Sequence, residues 1–209
     1  NAEEGFLLRP SSSNIIISNI VYNNKYGFAL DTVSSSVFRN NTVFDNKIHG
    51  FLLDESDFNN FTFNTIQNNS IGIQLRNSDE NTIFNNFFNN TINAQINSQN
   101  IWNIEKTSGT NIVNGPFLGG NFWSDYTGID ISGDGIGDTN LPYNSNGNIA
   151  TGGDFLPLVK PTFVDIPFGY WSWREIEIFY RQNITKGCRE DEKGLYYCPT
   201  DPVTRDQMA

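Results

Sequence analysis

The sequence has few of the residues that carry soft-metal, redox or proton-transfer chemistry. Its 209 residues include two cysteines, one methionine and one histidine. Basic residues are scarce too, because 13 lysines and arginines stand against 23 aspartates and glutamates, and the net charge is −10. Since binding to nucleic acid or to an anionic membrane surface depends on excess positive charge, we expect neither kind of partner.

Long apolar runs and a high charge content are also missing. No stretch approaches the roughly 20 apolar residues that a membrane-spanning helix needs, so we expect no membrane insertion. Charged residues form only 17% of the chain. This low charge does not indicate disorder, because the aromatic and aliphatic residues that build a core are plentiful.

Asparagine is the residue in excess. The chain has 31 asparagines, about 15% of its length, and 22 of them lie between Asn14 and Asn103. The excess accompanies a repeat, since similar short segments recur at steps of 22, 23, 22 and 21 residues. These segments are GFLL at Gly5, GFAL at Gly27, GFLL at Gly50, GIQL at Gly72 and NAQI at Asn93.

The repeat has the period of β-strands. Apolar residues alternate in short bursts at every second position, and no helical stripe runs through the units. One unit cannot bury its own apolar face, whereas stacked units share a core. Asparagine suits the corners, because it tolerates the left-handed backbone region and its amide can hydrogen-bond to the copies above and below. We therefore predict an all-β fold, a parallel β-helix with two interior columns, Ile16–Phe38–Phe61–Ile83 and Val21–Val43–Ile66–Phe88.

These units resemble the β-helix repeats of the carbohydrate-binding and sugar-hydrolase superfamily, particularly the NosD-type copper-protein maturation β-helices and their relatives in microbial surface proteins. The resemblance covers roughly residues 5–160 and implies a right-handed β-helix of about four to five coils. It supports the fold better than the function, because one fold hosts many functions. The sequence offers few ligands for copper, since Met208 and one histidine cannot build a copper site without the two cysteines.

A loop rich in carboxylates follows the repeat. Its sequence is Asp130-Ile-Ser132-Gly-Asp134-Gly-Ile136-Gly-Asp138. Oxygen donors at relative positions 1, 3, 5 and 9, a glycine at 6 and a carbonyl at 7 match the front of an EF-hand-type calcium loop. We predict that Asp130, Ser132, Asp134, Asp138 and the Ile136 carbonyl bind Ca²⁺. The alternative is an Asp/Gly turn with nothing bound.

The loop departs from the full calcium pattern, because Leu141 stands at position 12 in place of a bidentate glutamate. A missing ligand could come from Asp125, Asp154, another carbonyl or water. The surrounding segment, residues 120–143, resembles the element that closes many NosD-type β-helices. We therefore expect Trp123 and Tyr126 to cover the open end of the core, within a first domain that spans residues 1–160.

The composition changes at Lys160-Pro161, where asparagine nearly disappears, and we place a second domain at residues 161–209. Apolar residues recur at helical spacing between Trp171 and Tyr180, so we expect this domain to be a small α-helical module. Four blocks of the region resemble a surface-layer homology (SLH) module, present once and ending where its second helix should start. The resemblance implies anchoring to cell-wall polysaccharide, with Arg205 pairing with an acidic sugar group and Thr204 capping a helix. For Arg205 the alternative is a salt bridge within the module. The blocks are Phe163-Val-Asp165-Ile-Pro167, Trp171, Asn183-Ile-Thr185-Lys-Gly187 and Pro202-Val-Thr204-Arg205-Asp-Gln207.

Cys188 and Cys198 are ten residues apart in a chain otherwise free of cysteine. Such spacing suits one short disulfide and an oxidising compartment, and we expect an extracellular location at the cell surface or cell envelope. Two unpaired thiols in a cytosolic protein are the alternative.

These observations favour a non-catalytic extracellular surface protein. It would self-associate into oligomers or filaments, attach to cell-wall polysaccharide, or do both. The alternative is a secreted β-helix that binds or degrades polysaccharide and is tethered by the same module. Asp31, Asp54 and Arg76 share one column of the repeat, but we interpret Asp54 beside Arg76 as a surface ion pair and not as part of a catalytic site.

Overall fold

The computed structural model describes residues 2–202. The repeat forms a parallel β-helix of about four coils, and each coil contributes one strand to each of three parallel sheets. The first sheet contains β1 (Glu4–Leu8), β5 (Tyr26–Asp31), β9 (His49–Asp54), β12 (Ile71–Arg76) and β15 (Ile92–Ile96). The second contains β3 (Ile15–Ile17), β7 (Val37–Arg39), β10 (Asn60–Thr62) and β13 (Thr82–Phe84). The third contains β4 (Ile20–Tyr22), β8 (Thr42–Phe44), β11 (Thr65–Gln67), β14 (Phe87–Asn89) and β18 (Phe122–Trp123).

The remaining elements are short. Three two-stranded pairs are formed by β2 (Ser11–Ser12) with β6 (Val33–Ser34), by β16 (Thr107–Ser108) with β17 (Phe117–Leu118), and by β19 (Arg189–Asp191) with β20 (Gly194–Tyr196). A 3₁₀ turn covers Ser145–Gly147, and the α-helix α1 covers Trp173–Arg181. No helix between residues 2 and 202 has the length and apolar character needed to cross a membrane.

The predicted fold class is confirmed, and so are the interior columns. The register pairs Ile16, Phe38, Phe61 and Ile83 in sequence, and likewise Val21, Val43, Ile66 and Phe88. Neighbouring rings within a column stack, as between Phe28 and Phe51 with centroids 4.7 Å apart. Rings of different columns meet edge to face, as between Phe38 and Phe51 at 5.9 Å. Both geometries are favourable for aromatic pairs, so the core gains more than apolar burial alone would give.

Polar ladders run beside these apolar columns. In the longest, each asparagine donates its backbone N–H and its Nδ2–H to the Oδ1 atom of the asparagine one coil further along the chain. Asn64 also donates to the carbonyl of Phe38 at 2.8 Å, so one side chain ties three coils together. This main ladder consists of Asn19, Asn41, Asn64, Asn86 and Asn121.

The two properties expected of corner asparagines are divided between adjacent positions. The residue just before a ladder asparagine has positive φ, as at Asn40 and Asn85 with φ of 56° and 54°. Phe63 occupies the same position before Asn64 with φ of 56°, so this position does not require asparagine. The ladder position requires the amide, and that requirement explains the excess of asparagine.

The glycine column reflects close approach of the backbones. A Cβ atom on Gly27 would lie 2.5 Å from the carbonyl oxygen of Gly50, and one on Gly50 would lie 2.6 Å from that of Gly72. Both distances are far below van der Waals contact, so a side chain would force adjacent coils apart. Neither glycine is among the residues with positive φ, so conformational freedom is not the reason for the column.

The C-terminal end of the β-helix is covered. Trp123, which is 1% exposed, stacks on Phe88 of the preceding coil and on Tyr143, with centroid distances of 4.5 and 4.4 Å. Tyr126 packs against the same core. The expected closing role of Trp123 and Tyr126 is therefore seen in the structure. Ile15 and Ile20, which are 72% and 68% exposed, face outward from the first coil, because they alternate with the core-facing Ile16 and Val21.

Replacing Asn64 by alanine tests the main ladder. Both N–H donors of Asn41 and the carbonyl of Phe38 would lose their partner in a buried environment, and we expect the free energy of unfolding to fall by about 2–4 kcal/mol. The matched control is Asn89→Ala, because Asn89 lies in β14 and is exposed. Its effect should stay within about 0.5 kcal/mol. Urea denaturation measures both variants, and similar small losses for the two would contradict the importance of the ladder.

Candidate functional site

The predicted calcium loop is organised around Asp130, which is 2% exposed. Its Oδ1 atom accepts a hydrogen bond from the N–H of Asp134 at 3.0 Å, and its Oδ2 atom accepts one from the N–H of Gly135 at 2.8 Å. The hydroxyl of Ser132 lies 3.3 Å from Oδ1. One carboxylate therefore folds the loop around itself by accepting backbone donors.

The other predicted residues belong to the same network. Asp134 Oδ1 accepts from the N–H of Ile136 at 2.9 Å, and Asp138 Oδ2 accepts from the N–H of Ser132 at 2.8 Å. The side chain of Ile136 is 3% exposed and belongs to a small apolar cluster with Val113 and Leu158. The structure thus brings all five predicted residues into one compact loop, in which backbone amides and apolar packing fix the conformation.

Three basic side chains that the sequence reasoning missed also contact this loop. Lys106 forms an ion pair with Asp134. Arg174 donates to the carbonyl of Ser132, and Arg181 Nη2 lies 3.9 Å from Asp130 Oδ2. Two of these residues come from helix α1 and one from an irregular segment before the loop. The density of carboxylates was the one available signal, because it demands positive charge from some source, and metal was not the only possible source.

The additional ligands considered for the loop are bonded elsewhere. Asp125 accepts from Asn93 Nδ2 at 2.6 Å and from the Tyr143 hydroxyl at 2.7 Å, while Asp154 is buried at the end of the main ladder. Between residues 2 and 202, no three side chains of His, Cys, Asp or Glu are grouped as a metal-ligand set. Calcium binding therefore stays a prediction, and in the described arrangement the positive charge next to the loop comes from Lys106 and Arg181.

Asp154 ends the main ladder. It is fully buried and accepts hydrogen bonds from the backbone N–H of Asn121 at 2.7 Å, the indole N–H of Trp123 at 2.8 Å and the N–H of Leu156 at 3.0 Å. Burial raises the pKa of Asp154 to about 6, while these hydrogen bonds act to lower it. No pattern in the sequence singles out Asp154 as the end of the main ladder, because it lies 33 residues after Asn121.

The C-terminal segment forms a small unit that packs on α1. Phe163, Ile166 and Ile176 are its buried apolar residues. The predicted disulfide between Cys188 and Cys198 is confirmed, with Cα atoms 6.0 Å apart. Thr204 and Arg205, the predicted polymer-binding residues, lie outside the described residues.

The single histidine is enclosed on the outer face of the first sheet. His49 is 4% exposed, and its ring stacks on that of Tyr26 with centroids 5.3 Å apart. Its Nδ1 atom is buried and has no hydrogen-bond partner among the described residues. Burial, followed by the charge of Arg76, lowers the pKa of His49 to about 4. The ring is therefore neutral at physiological pH and acts as a packing element.

Comparison with known protein families gives one match. A family model described as periplasmic copper-binding protein (NosD) matches residues 1–128. No curated protein and no solved structure shows a match. The family match covers the coils of the β-helix and ends just before the carboxylate loop, so it does not extend to the loop or to the C-terminal segment.

The described residues do not fit a copper centre. Copper in proteins prefers thiolate, thioether and imidazole ligands. Within residues 2–202 the two sulfur atoms of cysteine are joined to each other, and the one imidazole is enclosed between Tyr26 and its neighbours. Met208 lies outside the described residues. No step of a copper mechanism can therefore be built from the residues in this part of the chain.

The variant Asp154→Asn tests whether the buried carboxylate of Asp154 makes the free energy of unfolding depend on pH. The pKa of Asp154 is raised from 3.8 to about 6 in the folded protein, so the folded state holds this proton more tightly than the unfolded state. The resulting stabilisation is complete below about pH 4 and is lost as the pH rises through about 6, by up to about 3 kcal/mol.

The asparagine variant cannot titrate at this position. The difference in unfolding free energy between the two proteins should therefore move against the wild type between about pH 4 and 7. His49 has the opposite dependence, since its stabilisation is present above pH 6.5 and lost as the pH falls through about 4, but it is common to both proteins and cancels in the difference. Urea denaturation of both proteins at several pH values measures the difference in unfolding free energy. A difference that does not change with pH would show that the pKa of Asp154 is not raised in the folded protein.

Proposed function

The chain belongs to the NosD family, and from this premise we propose that it is a non-catalytic structural element outside the cytoplasm. The family is described as periplasmic. The Cys188–Cys198 disulfide agrees with an oxidising compartment, where such bonds persist. The finer proposal is a β-helix at the cell surface or envelope, attached to cell-wall polysaccharide through its C-terminal region.

The observation that carries this proposal is how the repeat uses its polar residues. The conspicuous side chains of the coils, the ladder asparagines, point inward and bond to the next coil, as Asn64 and Asn86 do at 2.9 Å. Both are completely buried. Side chains committed in this way stiffen the solenoid and are not available to a substrate. Such a chain is suited to serve as a rigid spacer.

Attachment of the C-terminal region to the β-helix supports an anchoring role. Within this region, Glu177 of α1 is 2% exposed and accepts hydrogen bonds from the N–H and the hydroxyl of Thr162, both at 2.7 Å, so α1 is fixed next to the point where the chain leaves the β-helix. Arg174 and Arg181 of the same helix contact the carboxylate loop. A tension applied at the C-terminal region would therefore pass through α1 into the closing segment of the solenoid.

Self-association of the rigid β-helix into oligomers or filaments is part of the same proposal. At the C-terminal end of the β-helix, Trp123 stacks on Tyr143 and covers the core, so copies would meet through other surfaces. A closed dimer needs one contact around a two-fold axis, whereas a filament needs a contact that repeats. Sedimentation velocity over a range of concentrations distinguishes dimer from filament.

Calcium would bind the loop in exchange for basic side chains. The spacing of Asp130, Ser132, Asp134 and Asp138 supports this proposal, and the loop already gathers their oxygens by backbone hydrogen bonds. Lys106 occupies an oxygen of Asp134 and would have to leave as the cation arrives. Calcium would then link the closing segment more tightly than one lysine does.

We expect chelation to lower the melting temperature of protein prepared with calcium. If free Ca²⁺ at about 100 times its dissociation constant stabilises the fold by about 2.7 kcal/mol, the shift is about 5–10 °C for a chain of this size. Asp134→Ala should remove this sensitivity, and Lys106→Gln should increase calcium affinity because the competing cation is gone. The matched control is Asp31→Ala, since Asp31 is an exposed carboxylate on β5. Identical melting curves with and without chelator would exclude the calcium proposal.

Cosedimentation with purified cell walls tests the anchoring function. The full chain should sediment with the walls, and Arg205→Gln should weaken binding about tenfold or more, as expected for loss of a charge-assisted pair. Arg189→Gln is the matched control, because Arg189 is an exposed arginine of the same region. Incubation with neutral glucans and with uronans should release no product. A chain that stays in the supernatant and cleaves polysaccharide would overturn the proposed function.

A further inference from the structure

A cavity of about 420 Å³ lies between the third sheet of the β-helix and the C-terminal segment. Three parts of the chain line it, namely β14, residues 112–114 and residues 160–168. Phe87 of β14 faces outward, because the next residue, Phe88, is buried in the core. Of the described residues that line the cavity, only Asn114 and Lys160 are not apolar. Its volume and its position between two packed units are those of an ordinary small-molecule site.

The aromatic walls of this cavity are held in place by their neighbours. Phe87 stacks on Phe122 with ring centroids 4.7 Å apart. In the C-terminal segment, the ring of Phe168 meets that of Trp173 edge to face at 4.8 Å. Phe168 also lies against Gly135 of the carboxylate loop, where a Cβ atom would come within 3.0 Å of the ring. Because these contacts fix the walls, the cavity is preformed and binding does not have to order its side chains.

Lys160 carries the one charge among the described residues of the lining. Its Nζ atom lies 4.7 Å from the ring centroid of Phe87 and 4.6 Å from that of Phe122. Desolvation by these surroundings lowers the pKa of Lys160, although part of the side chain is exposed to solvent. No ion pair formed between residues 2 and 202 includes Lys160. The ammonium group therefore lies over aromatic faces without an anionic partner in the described part of the chain.

We propose that this cavity binds a small monocarboxylate with an apolar body, either aliphatic or aromatic. The body packs against the phenylalanine and proline side chains, and the carboxylate pairs with the ammonium group of Lys160. The net charge of −10 disfavours a polyanion, but the described lining holds no carboxylate, so a single negative charge meets only Lys160. Such a ligand contacts the β-helix and the C-terminal segment at once. This inference goes beyond the proposed function, because it requires neither calcium nor cell-wall polysaccharide.

The lysine sets the charge of the ligand, and the volume sets its size. A neutral apolar ligand would remove water from the ammonium group without supplying a partner, and a cationic ligand would be repelled. The volume is near the lower end of the range for small-molecule sites, so a chain of about eight carbon atoms or two fused aromatic rings should fit. For a ligand of about ten non-hydrogen atoms we expect a dissociation constant of about 0.1–1 mM.

Titration calorimetry of the full chain with octanoate and with 2-naphthoate tests the proposal. At least one of the two carboxylates should bind, and their relative affinities show whether the body is aliphatic or aromatic. The comparison ligands are 1-octanol and octylammonium, which keep the chain of octanoate and change its head group. We expect 1-octanol to bind at least about tenfold more weakly than the better carboxylate, as for loss of a charge-assisted pair. Octylammonium should show no binding.

Substitutions at the cavity separate the charge from the apolar walls. Lys160→Met keeps the length of the side chain and removes its charge, so carboxylate binding should weaken by about tenfold or more. Lys160→Arg should retain carboxylate binding. Val164→Trp fills part of the cavity from a position that is 49% exposed, and it should weaken the binding of both carboxylates. The matched control is Lys47→Met, because Lys47 is an exposed lysine of the β-helix. Melting temperatures measured in parallel verify that each variant is folded.

Three results would overturn the proposal. The first is that neither carboxylate binds at about 10 mM, well above the expected dissociation constant. The second is that 1-octanol or octylammonium binds as tightly as the better carboxylate. The third is that Lys47→Met weakens binding as much as Lys160→Met does. None of these measurements involves a chelator or purified cell walls, so this proposal and the proposed function can fail separately.

Discussion

The hydrogen bond from one asparagine side chain to the next, repeated at the spacing of the coils, is the constraint on which this structure depends. In the main ladder the Oδ1 atom of each amide accepts from the asparagine of the preceding coil, and Nδ2 donates to Oδ1 of the asparagine in the next coil, as Asn41, Asn64 and Asn86 show. A second N–H of each amide donates to a backbone carbonyl of the preceding coil. The amide dipoles therefore point the same way and polarise one another. A buried ladder of this kind has a positive end, and that end lies where the β-helix must be closed.

In the segment that covers the C-terminal end of the β-helix, carboxylates accept the last hydrogen bonds of two ladders. The main ladder ends on Asp154, and a second ladder, through Asn46, Asn69, Asn90 and Asn93, ends on Asp125. A carboxylate only accepts hydrogen bonds, so it ends a line of donors without needing a further partner. Burial opposes this solution at Asp154, and its raised pKa of about 6 is the consequence. The acidic residues after the repeat thus serve two purposes, since some close the solenoid and others form the loop.

The parts that sequence could predict are those written with the period of the repeat. The columns of Phe38 and Val43 follow from spacing alone, because each coil repeats the same inward positions. Lys106 and Arg181 beside the carboxylate loop could not be predicted, since their approach depends on the path of irregular segments and on how α1 packs. Asp54 and Arg76 lie opposite each other, as their shared column of the repeat predicts. The surface ion pair expected between them is not formed among the described residues, because Arg76 donates to the side chain of Gln74 instead.

The third ladder shows that charge is used only where an unbroken line of amides ends. It starts with Asn14, but the next member is Ser36, whose hydroxyl accepts from Asn14 and itself donates to the carbonyl of Ser34. Because the Ser36 hydroxyl donates to a nearby carbonyl of its own coil, it does not extend the line of aligned amide dipoles. The third ladder therefore contains only the shorter line of amides that runs through Asn81. That line ends at Asn100, which donates to the carbonyl of Ser78 and meets no carboxylate. Because the two longer lines end on Asp125 and Asp154 and the broken one does not, a carboxylate ends a ladder at this end of the solenoid only where the line of amides is unbroken.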